Sequence, residues 1–182
     1  MLLLDVDGVI ADFCRSVDDL LIRDGHRPAK WLSWELDANI PPCCTEYVLE
    51  RLQSPGYALR IPEIPGAVDA VRRAIRNGIP IAFVTTPMAG SRTWAGDREV
   101  WLRDRFGLKP AIIHTDHKDL IRGDLLVDDK IAHVEDFPGP ALLVRRSYNV
   151  ADPIALRCGV DHVADAITIY CNSYPAKGSS GP

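Results

Sequence analysis

The 182-residue sequence has no CxxC pair and no Cys/His spacing suited to zinc, and its five cysteines are an odd number. Together these absences exclude a fully paired disulfide framework and the common structural zinc folds. The adjacent Cys43-Cys44 couple is one that backbone geometry rarely lets bridge. Reduced thiols, and with them a cytoplasmic location, are the expectation. Long apolar runs are also missing. The opening Met1 to Leu4 meets Asp5 and Asp7 at once, far too short for a signal-peptide core or a membrane span, so no membrane partner is expected. Nor is there an excess of positive charge: Lys and Arg total 21 against 25 Asp and Glu, a net of −4. A surface for long nucleic acid, which is held by clustered Lys and Arg, is excluded on that ground. A small anion in a metal-bearing pocket remains open. No internal repeat is present.

What is there suits one substantial core. A 47% hydrophobic content over this length fits one domain with a modest insertion better than two independent domains. Leu2 to Val6 is apolar except for Asp5, which suits a central strand of a parallel sheet with Asp5 at its carboxyl end. Phe13, Val17, Leu20 and Leu21 lie on one helical face before Gly25. Residues 25–62 then break the rhythm with Trp31, Trp34, Pro41-Pro42 and Pro55-Gly56, around a short helical pattern from Tyr47 to Leu52. After Pro65-Gly66, a helical stripe (Val68, Val71, Ala74, Ile75) ends at Asn77-Gly78, and Pro80 to Val84 is a second strand. A helix over 95–106 with Asp97 as its cap, strands at Ala111 to His114, Leu125 to Val127 and Ala141 to Val144, and a helix start at Ile131 to Val134 complete the pattern. Strands alternating with helices predict an α/β fold built on a doubly wound parallel sheet. The expected division is a core of residues 1–13 and 62–172, a small helical cap of 14–61, and a mobile tail of 173–182.

In open parallel sheets, ligands gather at the carboxyl ends of strands. Four places fall there: Asp5-Val6-Asp7-Gly8, Thr85-Thr86, Lys118, and Asp128-Asp129. A strand-end carboxylate such as Asp5 can attack phosphorus and split one difficult displacement into two easier ones. Gly8 lets the chain turn sharply, so Asp7 can face the leaving oxygen beside Asp5 and work as general acid, then base. Asp5 with Asp129 supplies the hard anionic pair that magnesium prefers, with Asp128 bound directly or through water. The Thr85 hydroxyl can donate to a phosphate oxygen, and the Lys118 charge can hold the phosphate against the nucleophile. Taken singly, each has an ordinary role: a cap for the adjacent aspartates, a strand-end threonine, a surface lysine, packing for the aromatics.

Jointly, DVDGVIADF (5–13), FVTTP (83–87), Lys118 and GDLLVDD (123–129) resemble, in order and spacing, the four motifs of the haloacid dehalogenase superfamily of phosphatases. More narrowly, the ADF, SPGYALRIPEIPGAVDAV (54–71), TTP, WLRDRFG (101–107) and GDLLVDDK resemble the 5'(3')-deoxyribonucleotidase family over roughly residues 1–135. The resemblance implies a Rossmann-like core and a magnesium-dependent phosphomonoesterase. Asp5 would be nucleophile and metal ligand, Asp7 acid/base and a main-chain metal ligand, and Asp129 the third ligand, with Asp128 behind them. Thr85, Thr86 and Lys118 would hold phosphate, while Phe13 and a cap aromatic, Trp31 or Trp34, stack on the nucleobase. The implied substrate is a nucleoside monophosphate, and a homodimer is left open. This chain departs from the family at Asp116, where a basic residue is usual, so the rim is more acidic unless Asp116 faces away.

Two rivals keep the fold: a phosphatase for a sugar phosphate or other small ester, and a non-catalytic phosphate-binding protein, which would not need both Asp5 and Asp7. Dehalogenation would leave Asp7 without a task. A signalling receiver domain has its paired acids after the first strand, whereas here the pair comes last.

Overall fold

A computed structural model describes residues 1–174. Its centre is β1, Leu2–Leu4, three leucines with no exposed surface. Leu2 and Leu4 join the larger core on one side of the sheet, while Leu3 packs with Ala82, Val84, Leu126 and Phe137 on the other. That alternation is the period-two signature of a strand covered on both faces. Each such side chain contributes about 1.5–3 kcal/mol by leaving water.

Five more strands follow: β2 (Ile81–Thr85), β3 (Ala111–His114), β4 (Leu125–Asp128), β5 (Ala141–Val144) and β6 (Gly159–Val160). They form one sheet in the order β3-β2-β1-β4-β5-β6, and every pairing is parallel. The expected doubly wound α/β architecture is therefore observed. The order reverses direction beside β1, which places a crevice at the carboxyl ends of β1 and β4.

Among the described residues, seven α-helices flank the sheet: α1 (Phe13–Arg23), α2 (Thr45–Gln53), α3 (Ala67–Arg76), α4 (Trp94–Phe106), α5 (Ile131–Asp136), α6 (Pro153–Cys158) and α7 (Val163–Ser173). The α1 start follows from Asp12, whose carboxylate accepts from the Arg15 backbone N–H as an N-cap. In α3, Val68, Val71 and Ala74 are buried at helical spacing, as the sequence stripe predicts.

Three expectations need correction. Helix α4 begins at Trp94 with Thr93 as its N-cap, so Asp97 does not cap it. Instead the Asp97 carboxylate accepts from Thr93 Oγ1 at 2.9 Å and from the Gly56 N–H at 2.8 Å, tying the helix start to the returning chain. Strand β6 with helices α6 and α7 was not foreseen, although Asp152-Pro153 is a good cap-and-N1 signal. The expected mobile tail starts too early: Ser173 ends α7 and Tyr174 Oη donates to the Asp124 carbonyl at 2.9 Å. The remainder of that segment, 175–182, lies outside the described residues.

Residues 14–61 leave and re-enter the sheet region at one place. Asp12 N–H donates to the Pro62 carbonyl at 2.7 Å, Ile64 N–H donates to the Ile10 carbonyl at 2.8 Å, and Ala11 bridges Glu63. The hydrophobic side chains of this excursion, Val17, Leu21, Val48 and Leu52 among them, share the large core on that side of the sheet.

Candidate active site

The chain after β1 is shaped by backbone hydrogen bonds. Ile10 and Ala11 both donate to the Val6 carbonyl at 2.8 Å, and Gly8 donates to the Ala11 carbonyl at 2.8 Å. Gly8 has φ +75, and a Cβ there would overlap the Asp129 carboxylate. Glycine is thus required twice over, for its left-handed backbone and for the close approach of Asp129.

Around this turn the structure gathers Asp5, Asp7, Thr85, Thr86, Lys118 and Asp129 on the wall of one cavity of about 440 Å³. Phe13, Trp31 and Trp34 also line it. Asp128 stands behind the wall with no exposed surface. Asp116 does not reach the cavity: its side chain is 70% exposed and turned toward His117, so it leaves the rim's charge alone.

Lys118 is not a surface lysine. It is buried, and its Nζ donates to Asp5 Oδ1 and to Asp128 Oδ2, each at 2.6 Å. Burial alone would push its pKa down, but the charges of Asp5 and Asp128 more than offset this and push it up, so it stays charged. Asp128 also accepts from the Lys130 N–H at 2.9 Å and pairs with His133 Nδ1 at 3.1 Å. Burial raises the Asp128 pKa, yet Lys118 and His133 outweigh it and leave it at about 2. Asp128 is a fixed, fully engaged anion.

Asp5 and Asp129 are different. Burial drives the Asp5 pKa up to about 7 against the pull of Lys118, and burial with the charges of Asp5 and Asp128 raises that of Asp129 well above the usual range. Asp129 Oδ1 is buried with no partner among the described residues. Asp5, Asp128 and Asp129 each offer a carboxylate oxygen within 4.8 Å of the others. Concentrated, buried, under-compensated carboxylate is the donor set of a hard divalent cation such as magnesium. With Asp128 occupied, one oxygen each of Asp5 (Oδ2) and Asp129 (Oδ1) is left without a hydrogen bond among the described residues.

Thr85 ends β2, and its buried Oγ1 is unpartnered as it faces the cavity. A buried hydroxyl left open costs stability unless a ligand satisfies it. Thr86 differs, since its Oγ1 donates to the Thr115 carbonyl at 3.1 Å. The two tryptophans also divide. Trp31 is anchored, its Nε1 donating to Asp18 at 3.1 Å, and its ring meets Phe13 at 6.4 Å. Trp34 is 44% exposed, edge-on to Tyr148 at 5.7 Å, with Lys130 Nζ 5.4 Å from its ring.

Four contributors were missed by sequence reasoning. His133, on α5, supports Asp128. Tyr148 donates to Asp129 Oδ2, and Asn149 Nδ2 donates to the Asp129 carbonyl at 2.7 Å, both from the loop after β5. Their position past the carboxyl end of a strand was the available signal. Arg98, wholly buried, donates from Nη2 to Asp7 Oδ1 at 2.6 Å. Its signal was an arginine set between Trp94 and Trp101 in the buried stripe of α4.

The same fold recurs in solved structures. A chain described as a haloacid dehalogenase-like hydrolase from Burkholderia xenovorans LB400 superposes with a TM-score of 0.59 over 96% of this chain and 98% of that one, at 16% identity. The D,D-heptose 1,7-bisphosphate phosphatase of B. bronchiseptica, solved with magnesium and phosphate, gives 0.55 over 94% and 98% at 13% identity. This chain thus shares the fold of these two proteins, with its site at the strand ends of the same sheet architecture. At sequence level, the family model for the 5' nucleotidase, deoxy (pyrimidine), cytosolic type C proteins matches residues 1–166. The human cytosolic-type 5'(3')-deoxyribonucleotidase is 31% identical over 141 residues, covering 70% of this chain and 69% of the relative. The chain belongs to that nucleotidase family, and with it to the phosphoric monoester hydrolases. Among the described residues no helix is long and apolar enough to cross a membrane.

Proposed function

We propose that this chain is a magnesium-dependent phosphomonoesterase that hydrolyses nucleoside 5'- or 3'-monophosphates through an aspartyl-phosphate formed on Asp5. One observation carries the reading: the lining of a single cavity includes Asp5, Asp7, Thr85, Lys118 and Asp129 together with Phe13, Trp31 and Trp34. Phosphate chemistry and an aromatic-faced subsite for a base thus share one space.

In this reading Asp5 attacks phosphorus while Asp7 gives a proton to the departing ester oxygen. Asp7 then takes a proton from the water that opens the Asp5 phosphate, a contribution of about 10²–10⁴-fold. Two of the three Lys118 N–H donors are committed to Asp5 and Asp128, and the third is left for a phosphate oxygen. The open Thr85 hydroxyl donates to a second. Asp5, Asp129 and the Asp7 main-chain carbonyl would hold magnesium, which would neutralise the ester's charge and orient it. Asp128 holds Lys118 in place. Phe13 and Trp34 flank the base, with Trp31 as a fixed backing wall. We assign residues 14–61 as a cap, supported by the hydrogen-bonded entry and exit segments at Ile10–Asp12 and Pro62–Ile64, and residues 1–13 with 62–172 as the core.

The test is phosphate release, with magnesium, from ribo- and deoxyribonucleoside 5'- and 3'-monophosphates and a set of sugar phosphates. Preference for nucleotides supports the reading. Preference for sugar phosphates overturns the substrate assignment, and no release from any ester overturns the activity.

A further inference from the structure

Asp7 can exchange a proton with substrate only if its carboxylate is aimed at the cavity. Asp7 lies beyond the end of β1, where strand alternation no longer sets side-chain direction, and just before the Gly8 turn. Its side chain is 20% exposed to the cavity. Among the described residues, Arg98 is its one side-chain hydrogen-bond partner, through Oδ1 at 2.6 Å. Oδ2 carries no such bond.

Arg98 is costly for the fold. It has no exposed surface, and its Nε and Nη1 find no hydrogen-bond acceptor. The rings of Trp94 and Trp101, one turn away on either side of it along α4, lie 5.5 and 5.4 Å from its guanidinium carbon. They offer cation–π stabilisation and lock its direction. A buried cation with one ionic partner is often matched or bettered by an apolar residue of similar volume. Stability therefore does not account for an arginine here, and geometry offers a different reason.

We propose that Arg98 is a positioning residue for Asp7, fixing Oδ1 so that Oδ2 faces the substrate cavity as the oxygen that exchanges the proton. This rests on the phosphatase reading. It assigns the two Asp7 oxygens different tasks, and it connects them to the cap: Trp94, which braces Arg98, also touches Phe13 at 6.4 Å and stacks on Tyr57 at 6.2 Å. The wall of the substrate subsite and the support of the acid/base thus share one tryptophan.

The experiment compares native protein, R98M, R98K, D7N and the R98M/D7N double variant for thermal stability, kcat and KM, with a crystal structure of R98M. Misplacing a reacting group by about 1 Å costs on the order of 100-fold, so R98M is expected to lose about that in kcat with KM little changed. R98K, which keeps the charge, recovers part of the loss. In the D7N background the added R98M change costs less than about twofold, because residues acting through one another are not additive. The R98M crystal shows the Asp7 carboxylate moved. An equal R98M loss in both backgrounds, or native kcat in folded R98M, overturns the proposal. Absence of phosphate release from the native chain overturns the phosphatase reading instead, and the Asp7 position in the R98M crystal then decides the positioning by itself: an unmoved carboxylate refutes it.

Discussion

Lys118 Nζ lies 2.6 Å from Asp128 Oδ2, and neither side chain has more than 1% of its surface exposed. The same nitrogen lies 2.6 Å from Asp5 Oδ1, so one buried cation links the carboxyl ends of β1 and β4. Removing one partner of a buried pair leaves an uncompensated charge, at about 3–5 kcal/mol. Lys118→Met is therefore expected to lower the urea midpoint clearly at pH 7 and to lose phosphate release. Native stability in K118M would show that the link contributes nothing to the fold.

The elevated acids make a signed prediction about pH. Asp5 has its folded pKa raised to about 7 from 3.8, so folded protein holds a proton that unfolded chain releases. The stability this contributes is full below 3.8 and lost as pH rises through 7; Asp129 acts in the same direction. Asp128 opposes them only at acid pH, since its pKa of about 2 means its contribution is lost as pH falls from 3.8 through 2. Metal-free protein should thus melt higher at pH 5 than at pH 8, by about 2–4 °C for each kcal/mol. Magnesium should reverse the order, because it replaces those protons. A melting temperature independent of pH and magnesium over this range would argue against the site.

Gly8→Ala tests the approach of Asp129 to the turn. The left-handed φ of +75 costs roughly 1–2 kcal/mol for a residue with a Cβ. That Cβ would also displace the Asp129 carboxylate and press on Tyr148 Oη. Calorimetric titration with magnesium should show weakened binding even in folded protein. Unchanged affinity would separate Asp129 from the cation.

Trp34 is exposed at the cavity rim while Trp31 is held by Asp18. Stacking on a base is worth about 1–3 kcal/mol, or roughly 5–150-fold. Trp34→Ala should raise KM for nucleoside monophosphates by a factor in that range and leave glycerol phosphate nearly unaffected. Equal losses for both esters would assign Trp34 to cap packing.

Much of this molecule is legible along the chain. The leucines before Asp5 and the apolar run before Asp128 read as central strands because both faces are buried, and their carboxyl ends mark the crevice. Asp5, Asp7, Thr85, Lys118 and Asp129 all line it. What stayed hidden depends on distant pairing. Arg98 meets Asp7 across 91 residues, and Tyr148 meets Asp129 from a loop whose direction only the sheet sets. Lys118 reads as a charge for holding phosphate, but its burial and its bonds to both Asp5 and Asp128 appear only in the folded chain. Asp97 looks like a cap because its chemistry suits one, yet its carboxylate serves Gly56 on the returning chain instead.

The measurement that bears most directly on the central claim is phosphate release by Asp5→Asn. The amide keeps the size and much of the hydrogen bonding of Asp5 but is a poor nucleophile. Folded D5N is expected to release no phosphate above background from any ester the native chain hydrolyses. Near-native turnover in that variant would contradict Asp5 as the nucleophile.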